Sequence, residues 1–219
     1  MRTLEKAFKV LEYLMEKGEA GVTEISQKLN LSKNNVFRAL ITFEEHGLVE
    51  KDEETEKYKL SANAIRLGYG FTQKNSFIKL SEPVLKNLRF QLNETVNLAV
   101  LDDKREYIVY VAEEETIKPV KVKSRLGKRF TLDASTASAK ALRRAVLGES
   151  GFIFDYEYST ETELSGGACI VRDYLGKPIG AIEVLAPIYR LSLDRLKNEI
   201  EPLLKEVALE LSLKLGYWD

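Results

Sequence analysis

The chain has 219 residues, with 33 Lys and Arg residues against 34 Asp and Glu residues and a net charge of −1. This balance excludes a protein that binds nucleic acid through a uniformly basic surface. A single cysteine and a single histidine exclude an intrachain disulfide, a cysteine-based zinc finger and a histidine-rich metal site. The chain begins unlike a signal peptide and has no apolar run of membrane-spanning length, so we expect a cytoplasmic protein.

Residues 1–60 predict three helices followed by a β-hairpin. The second helix is expected to begin at Thr23, whose hydroxyl would cap it, and to end at Asn30, which tolerates the left-handed backbone of a tight turn. Ser32 is expected to cap the third helix. Two short strands of alternating polarity then flank an acidic turn. This order is typical of a winged helix-turn-helix domain.

Residues 61–75 predict a linker helix, and residues 76–219 predict a second domain. Long helices begin and end this domain, and an alanine-rich helix interrupts its strands. Helices that flank hairpin-linked strands indicate an antiparallel α+β domain. The predicted strands are residues 96–101, 107–112, 120–124, 168–172 and 179–186.

The strongest chemical signal lies between Glu24 and Glu44. This stretch has no acidic residue but contains Lys28, Lys33 and Arg38. It concentrates positive charge in an N-terminal domain that holds ten basic against twelve acidic side chains. Clustered cations of this kind favour contacts with phosphate, whereas the alternative interpretation is an ordinary solvated helix face.

The first turn of the third helix is where a recognition helix presents base-reading side chains. Asn side chains can bond bidentately to adenine, and Lys or Arg to guanine. Backbone N–H groups at the helix starts can receive phosphates. In the wing we expect a strand lysine to approach DNA, because phosphates would repel the acidic tip. The predicted DNA contacts are Thr23, Lys28, Ser32, Lys33, Asn34, Asn35, Arg38 and Lys57.

Segments along most of the chain carry a family resemblance. In the first domain they are KAFKVLE (6–12), LNLSKNNVFRAL (29–40), FEEHGLV (43–49) and YKL (58–60). In the second domain they are GKRF (127–130), TASAKA (136–141) and GGACIVRD (166–173). Together and in this order, they resemble the IclR-type transcriptional regulators.

The resemblance implies a GAF-like effector-binding second domain, dimerisation through the N-terminal domains and often the pairing of dimers into tetramers. It implies that Arg38 and the turn at residues 33–35 contact a double-stranded DNA operator, and that a small organic effector controls this binding. By position, the loop before Thr136 and the strand at residues 168–169 would line the effector pocket. The segment 148–165 is shorter than the family pattern, which leaves open whether that pocket is complete.

A second basic run occupies residues 118–129. The alternation of Lys121 and Lys123 with valines predicts the solvent face of a strand. The sharper hypothesis is that Arg125 or Arg129 holds the carboxylate of an acidic effector. Together with the resemblance, this gives a set of predicted effector-site residues. They are Arg125, Gly127, Arg129, Ser135, Thr136, Ala168 and Cys169.

Two functions remain open from the sequence. The first is a sequence-specific DNA-binding regulator, acting as a homodimer or a dimer of dimers, whose operator binding responds to a small organic acid. The alternative is a ligand- or protein-binding module whose winged helix contacts protein and not DNA. No acid–base or nucleophile constellation is evident, so we expect no enzyme activity, no cofactor, no metal site and no membrane partner.

Overall fold

The computed structural model of the protein describes residues 2–218. The chain divides into two compact units, one ending at Phe71 and one beginning at Thr72. Within the described residues, no helix is both long enough and apolar enough to cross a membrane.

The first unit is built on three helices: α1 (Arg2–Lys17), α2 (Val22–Leu29) and α3 (Lys33–Glu45). In each helix, apolar residues recur at helical spacing, and the helix face that carries them packs against the core. Short helices gain most of their stability from such packing. The buried side chains from the three helices meet in one core, which includes Val10, Leu14, Ile25, Val36 and Leu40.

The turn between α2 and α3 forms as the sequence predicts, but the start of α2 does not. Asn30 adopts the left-handed conformation with φ of 51°, and the Ser32 side chain accepts a hydrogen bond from the backbone N–H of Asn35. The predicted capping role of Thr23 was wrong. The helix begins one residue earlier with Gly21 at the N-cap, where no side chain caps it, so Thr23 lies in the first turn.

The wing is a small antiparallel sheet beside the helices. Its strands β1 (Glu19–Ala20), β2 (Val49–Lys51) and β3 (Tyr58–Leu60) lie in the order β1-β3-β2. The turn between β2 and β3 is held by the Asp52 carboxylate, which accepts hydrogen bonds from the backbone N–H groups of Glu54 and Thr55 at 3.0 and 2.9 Å. These features confirm the predicted winged helix-turn-helix.

Two helices connect the wing to the main sheet along the chain. A 3₁₀ turn (Ala62–Ala64) leads into α4 (Ile65–Lys74), and α5 (Ser76–Leu92) follows directly. Asn75 separates α4 from α5, and its side chain accepts a hydrogen bond from the backbone N–H of Ile78 at 3.2 Å. An N-cap of this kind starts a new helix at a fixed point.

The second unit contains a six-stranded antiparallel sheet in the order β6-β5-β4-β9-β8-β7. This arrangement confirms the predicted antiparallel α+β class. Helix α6 (Ala137–Val146) lies between β6 and β7 along the chain. The strands are β4 (Thr95–Leu101), β5 (Tyr107–Glu114), β6 (Arg129–Thr131), β7 (Phe154–Ser159), β8 (Leu164–Arg172) and β9 (Pro178–Pro187).

Helices cover both faces of this sheet. One face packs against α5 and the C-terminal helical segment, which comprises α7 (Leu193–Arg195), a π-helical turn (Leu196–Ile200) and α8 (Glu201–Lys214). The other face packs against α6. Because side chains alternate along a strand, Ile182 and Val184 of β9 face α5 and α8, and Glu183 between them faces α6.

Three features of the second unit differ from the sequence prediction. The predicted strand at 120–124 was wrong, because these residues form no strand, and the next strand along the chain after β5 is β6. Val122 of this segment is buried and Val120 is 57% exposed, so the two valines do not share one strand face. The edge strands β6 and β7 were not predicted, although Phe154, Tyr156 and Tyr158 of β7 alternate with polar residues as in a strand.

Candidate DNA-binding surface and effector site

Helix α3 presents one free face at its N-terminal end. Val36 and Leu40 anchor the opposite face in the core. Lys33, Asn34 and Arg38 are exposed, and Asn34 and Arg38 lie four residues apart on the same side of the helix. The Ser32 cap fixes where the first turn of the helix begins.

The angle between α2 and α3 is set by short polar contacts in their turn. The Ser26 hydroxyl donates a hydrogen bond to the carbonyl oxygen of Leu31 at 2.6 Å. The backbone N–H of Leu31 donates a hydrogen bond to the Ser26 carbonyl oxygen at 3.0 Å. Together with left-handed Asn30, these bonds close the turn without glycine.

The basic residues of α2 and α3 differ from those of the wing in whether they form ion pairs with carboxylates. None of the ion pairs found among residues 2–218 involves Lys28, Lys33 or Arg38. By contrast, Lys57 pairs with Glu19 at 2.7 Å, and this hydrogen bond raises the pKa of the Lys57 ammonium. The positive charge available to phosphate therefore lies on the helices.

The other wing lysines are paired as well. Lys51 pairs with Glu56, and Lys59 lies 3.3 Å from the Glu50 carboxylate. A DNA contact by Lys57 stays a prediction, and it would have to compete with this carboxylate-rich surface.

In the second unit, the structure gathers a polar cluster on the α6-facing side of the sheet around Arg125, which is 7% exposed. Arg125 Nη1 donates to Glu183 Oε2 at 3.0 Å. Arg125 Nη2 donates to both carboxylate oxygens of Glu157, at 3.0 and 2.8 Å. Burial alone would lower the pKa of Arg125, but the charges of Glu183 and Glu157 outweigh it and raise the pKa.

Glu183 is the most enclosed member of this Arg125 cluster, with no exposed surface. Its Oε1 accepts hydrogen bonds from the Tyr110 hydroxyl at 2.9 Å and from the backbone N–H and hydroxyl of Ser138 at 3.2 and 3.0 Å. Its Oε2 also accepts from Asn97 Nδ2 at 3.4 Å. Burial and the charge of Glu183 raise the pKa of the Tyr110 hydroxyl, which therefore remains a donor.

The structure places the remaining predicted effector-site residues in different surroundings. Thr136 is buried and caps α6 by accepting a hydrogen bond from Ala139 N at 3.2 Å, whereas Ser135 is exposed. Gly127 bonds the Tyr110 backbone carbonyl and has φ of 76°, which favours glycine. Arg129 is exposed, with its guanidinium 4.7 Å from the centre of the Tyr107 ring.

Ala168 and Cys169 cannot line one pocket together. They are neighbours on β8 and point to opposite faces of the sheet. Ala168 packs on the α6 side, and Cys169 packs in the core formed with α5 and α8. Burial raises the pKa of the Cys169 thiol to about 12. Cys169 is therefore a core residue in this structure, and its place beside an effector stays a prediction without a contact to support it.

Five members of the Arg125 cluster were missed from the sequence: Glu157, Glu183, Tyr110, Asn97 and Ser138. One signal was available, because Glu183 is a lone acid inside the apolar run of β9. A buried carboxylate requires a partner, and that requirement points to a buried cation.

Comparisons with known proteins match both units of the chain to domains of one family of transcriptional regulators. Residues 3–53 match the IclR helix-turn-helix domain, and residues 70–147 match the C-terminal domain of the bacterial transcriptional regulator IclR. The chain is 28% identical to the HTH-type transcriptional regulator KdgR of Escherichia coli K12, over 98% of this chain and 92% of that protein. It is 24% identical to the transcriptional repressor IclR of the same organism, over 99% and 90% of the two chains.

Solved structures share the fold. An IclR transcriptional regulator from Alicyclobacillus acidocaldarius matches with a TM-score of 0.79 and 17% identity over 99% of both chains. An IclR homolog from Microbacterium hydrocarbonoxydans, complexed with 4-hydroxybenzoate, matches with a TM-score of 0.70 and 18% identity over 97% and 98% of the two chains.

These matches support the regulator interpretation and give no support to the alternative of a winged helix that contacts protein only. The relatives are transcriptional regulators, as the segments quoted from both domains predict. The chain belongs to the IclR family of transcriptional regulators, with an N-terminal helix-turn-helix DNA-binding domain.

Proposed function

We propose that this protein is a cytoplasmic repressor that binds an operator sequence in DNA. The observation that carries the proposal is the capped first turn of α3, where Lys33 and Asn34 are exposed, with exposed Arg38 on the same side of the helix as Asn34. Repression as the sign of control follows the relatives that are named repressors.

The contacts divide by chemistry. Asn34 and Asn35 are suited to adenine edges in the major groove, and Lys33 and Arg38 to guanine or phosphate. Lys28 and the helix starts at residues 22–23 and 32–33 are suited to phosphate. In a homodimer, two copies of α3 would read half-sites about 34 Å apart.

Salt dependence tests the proposal directly. The duplex would be selected by the protein from a random-sequence library, and its affinity measured by fluorescence anisotropy at several salt concentrations. A dimer that neutralises about six phosphates is expected to lose about 10³-fold in affinity between about 50 and 200 mM salt. Recovery of no preferred duplex, or binding that is insensitive to salt, would contradict operator binding.

The homodimer is proposed from an apolar stripe on α1. Leu4, Phe8 and Met15 are 62%, 53% and 60% exposed, and they lie on one side of the helix. An exposed stripe of this kind marks an interaction surface, and here the occupant is α1 of a second copy.

A charge in this stripe is expected to separate the subunits. Phe8→Glu is expected to give a monomer by size-exclusion chromatography with light scattering, because a carboxylate would be buried without a partner. Leu147→Glu, at a residue that is 80% exposed on the second unit, is the control. The unmodified protein run beside them also separates a dimer from a dimer of dimers. A Phe8→Glu protein of unchanged mass would rule out α1 as the interface.

The second unit is proposed as the sensor that a small organic effector would bind. The proposed site lies on the α6-facing side of the sheet, next to Thr136, Ser138 and Ala168. An effector that binds one arrangement of the dimer more tightly would shift operator affinity. Helix α4 spans the boundary between the units along the chain and is the proposed connection.

A further inference from the structure

The two carboxylates that hold Arg125 differ in how firmly the fold fixes them. Glu183 accepts hydrogen bonds from Tyr110, Ser138, Asn97 and Arg125, and it has no exposed surface. Glu183 is therefore a fixed structural member of the cluster. A group fixed by this many donors cannot leave without exposing several buried polar atoms.

Glu157 is held in a different way. Its carboxylate contacts Arg125 Nη2 through both oxygens, and its side chain keeps 11% of its surface exposed. It projects from β7, which is the last strand at one edge of the sheet. The Arg125–Glu157 ion pair therefore closes the cluster on the side nearest to solvent.

The cluster is not fully satisfied by its own groups. Asn97 is completely buried, and its Oδ1 has no hydrogen-bond partner among the described residues, although its Nδ2 donates to Glu183. Buried polar atoms without a partner are rare in folded proteins. This acceptor would be satisfied only by a hydrogen-bond donor, so it marks the cluster as polar but does not by itself select a carboxylate.

We infer that Glu157 is an internal carboxylate ligand, which occupies the position on Arg125 Nη2 that an external carboxylate would otherwise take. The unmodified chain therefore excludes small carboxylic acids from this position. A tethered group competes at an effective concentration of about millimolar or higher. A free monocarboxylate has no comparable advantage.

The inference is tested by removing the internal ligand. In Glu157→Ala, the atoms lost are a methylene and a carboxylate, which are the atoms of acetate. We expect Glu157→Ala to bind ¹³C-acetate, measured by NMR titration, at least about tenfold more tightly than the unmodified protein. We also expect acetate to raise its thermal unfolding temperature more than equal concentrations of sodium chloride or of neutral acetamide.

Two variants control the experiment. Glu157→Gln keeps the volume of the side chain, so it is expected to gain no acetate binding. Glu161→Ala removes an exposed glutamate from the turn after β7 and is expected to behave like the unmodified protein. If Glu157→Ala does not fold alone, its refolding yield in acetate against acetamide gives the same comparison.

Either of two results would overturn the inference: Glu157→Ala responding to acetate no more than to acetamide, or the unmodified protein binding acetate as tightly as the variant. These measurements use the protein without DNA. Any role of this site in regulation rests on the proposed function. Failure of operator binding would leave the acetate result standing, so the two failures are distinguishable.

Discussion

Arg38→Ala is expected to weaken specific operator binding strongly while leaving the fold intact. Arg38 is exposed on the free face of α3, one turn beyond Asn34. A specific arginine contact contributes about 1–3 kcal/mol, and a dimer loses two of them. We therefore expect affinity for the selected duplex to fall by at least about tenfold, with the largest loss at one base position in each half-site.

Arg129→Ala is the control for this experiment. Arg129 is an exposed arginine of the second unit, so its removal changes the net charge by the same amount without altering the first unit. Circular dichroism and thermal unfolding would show that both variants are folded. Unchanged anisotropy titrations for Arg38→Ala would refute the recognition face proposed for α3.

Arg125→Ala is expected to destabilise the second unit by about 3–5 kcal/mol, because it leaves the carboxylates of Glu157 and Glu183 in the interior without their cation. The loss would be measured by urea unfolding of the full chain at neutral pH. Arg129→Ala is expected to cost less than about 1 kcal/mol, since Arg129 is exposed and its guanidinium stacks on Tyr107 at the surface.

Adding Glu157→Gln to Arg125→Ala is expected to restore part of the lost stability. The double variant buries one uncompensated carboxylate fewer than the single variant, so the two changes should not add. Equal destabilisation by Arg125→Ala and Arg129→Ala would contradict the buried ion network.

Arg125 binds carboxylates of this chain, which differs from its predicted role of binding the carboxylate of an effector. The sequence predicts that Arg125 holds a carboxylate, and in the structure it holds two, both from this chain. An acidic effector at this arginine would have to displace Glu157, so effector specificity cannot be deduced from the presence of the arginine alone.

Most of the DNA-binding unit was predictable because its signals are local. Ser32 caps α3 through a residue three positions away, and Asn30 ends α2 through its own left-handed conformation. The acid-free face of α2 and α3 is visible directly in the residue order. The start of α2 was wrong by one residue because a backbone cap at Gly21 leaves no side-chain signal.

The sensor unit was predictable as a class but not in its site. Alternating apolar residues indicated most of the strands, yet they indicated a false strand at 120–124, and β6 and β7 were missed. In β7 the alternation indicates the wrong buried face, because Glu157 is buried and Tyr156 is exposed. The pairing of an edge strand also depends on which neighbour has a free edge, and the residue pattern does not show this.

By itself, the sequence determined the family, the two kinds of domain and the face of α3 that carries free positive charge. Only the tertiary structure decided what Arg125 does, because its partners Glu157 and Glu183 lie 32 and 58 residues away along the chain. Antiparallel pairing brings β7 and β9 to either side of β8, and the alternation of side chains turns both glutamates toward the same buried guanidinium.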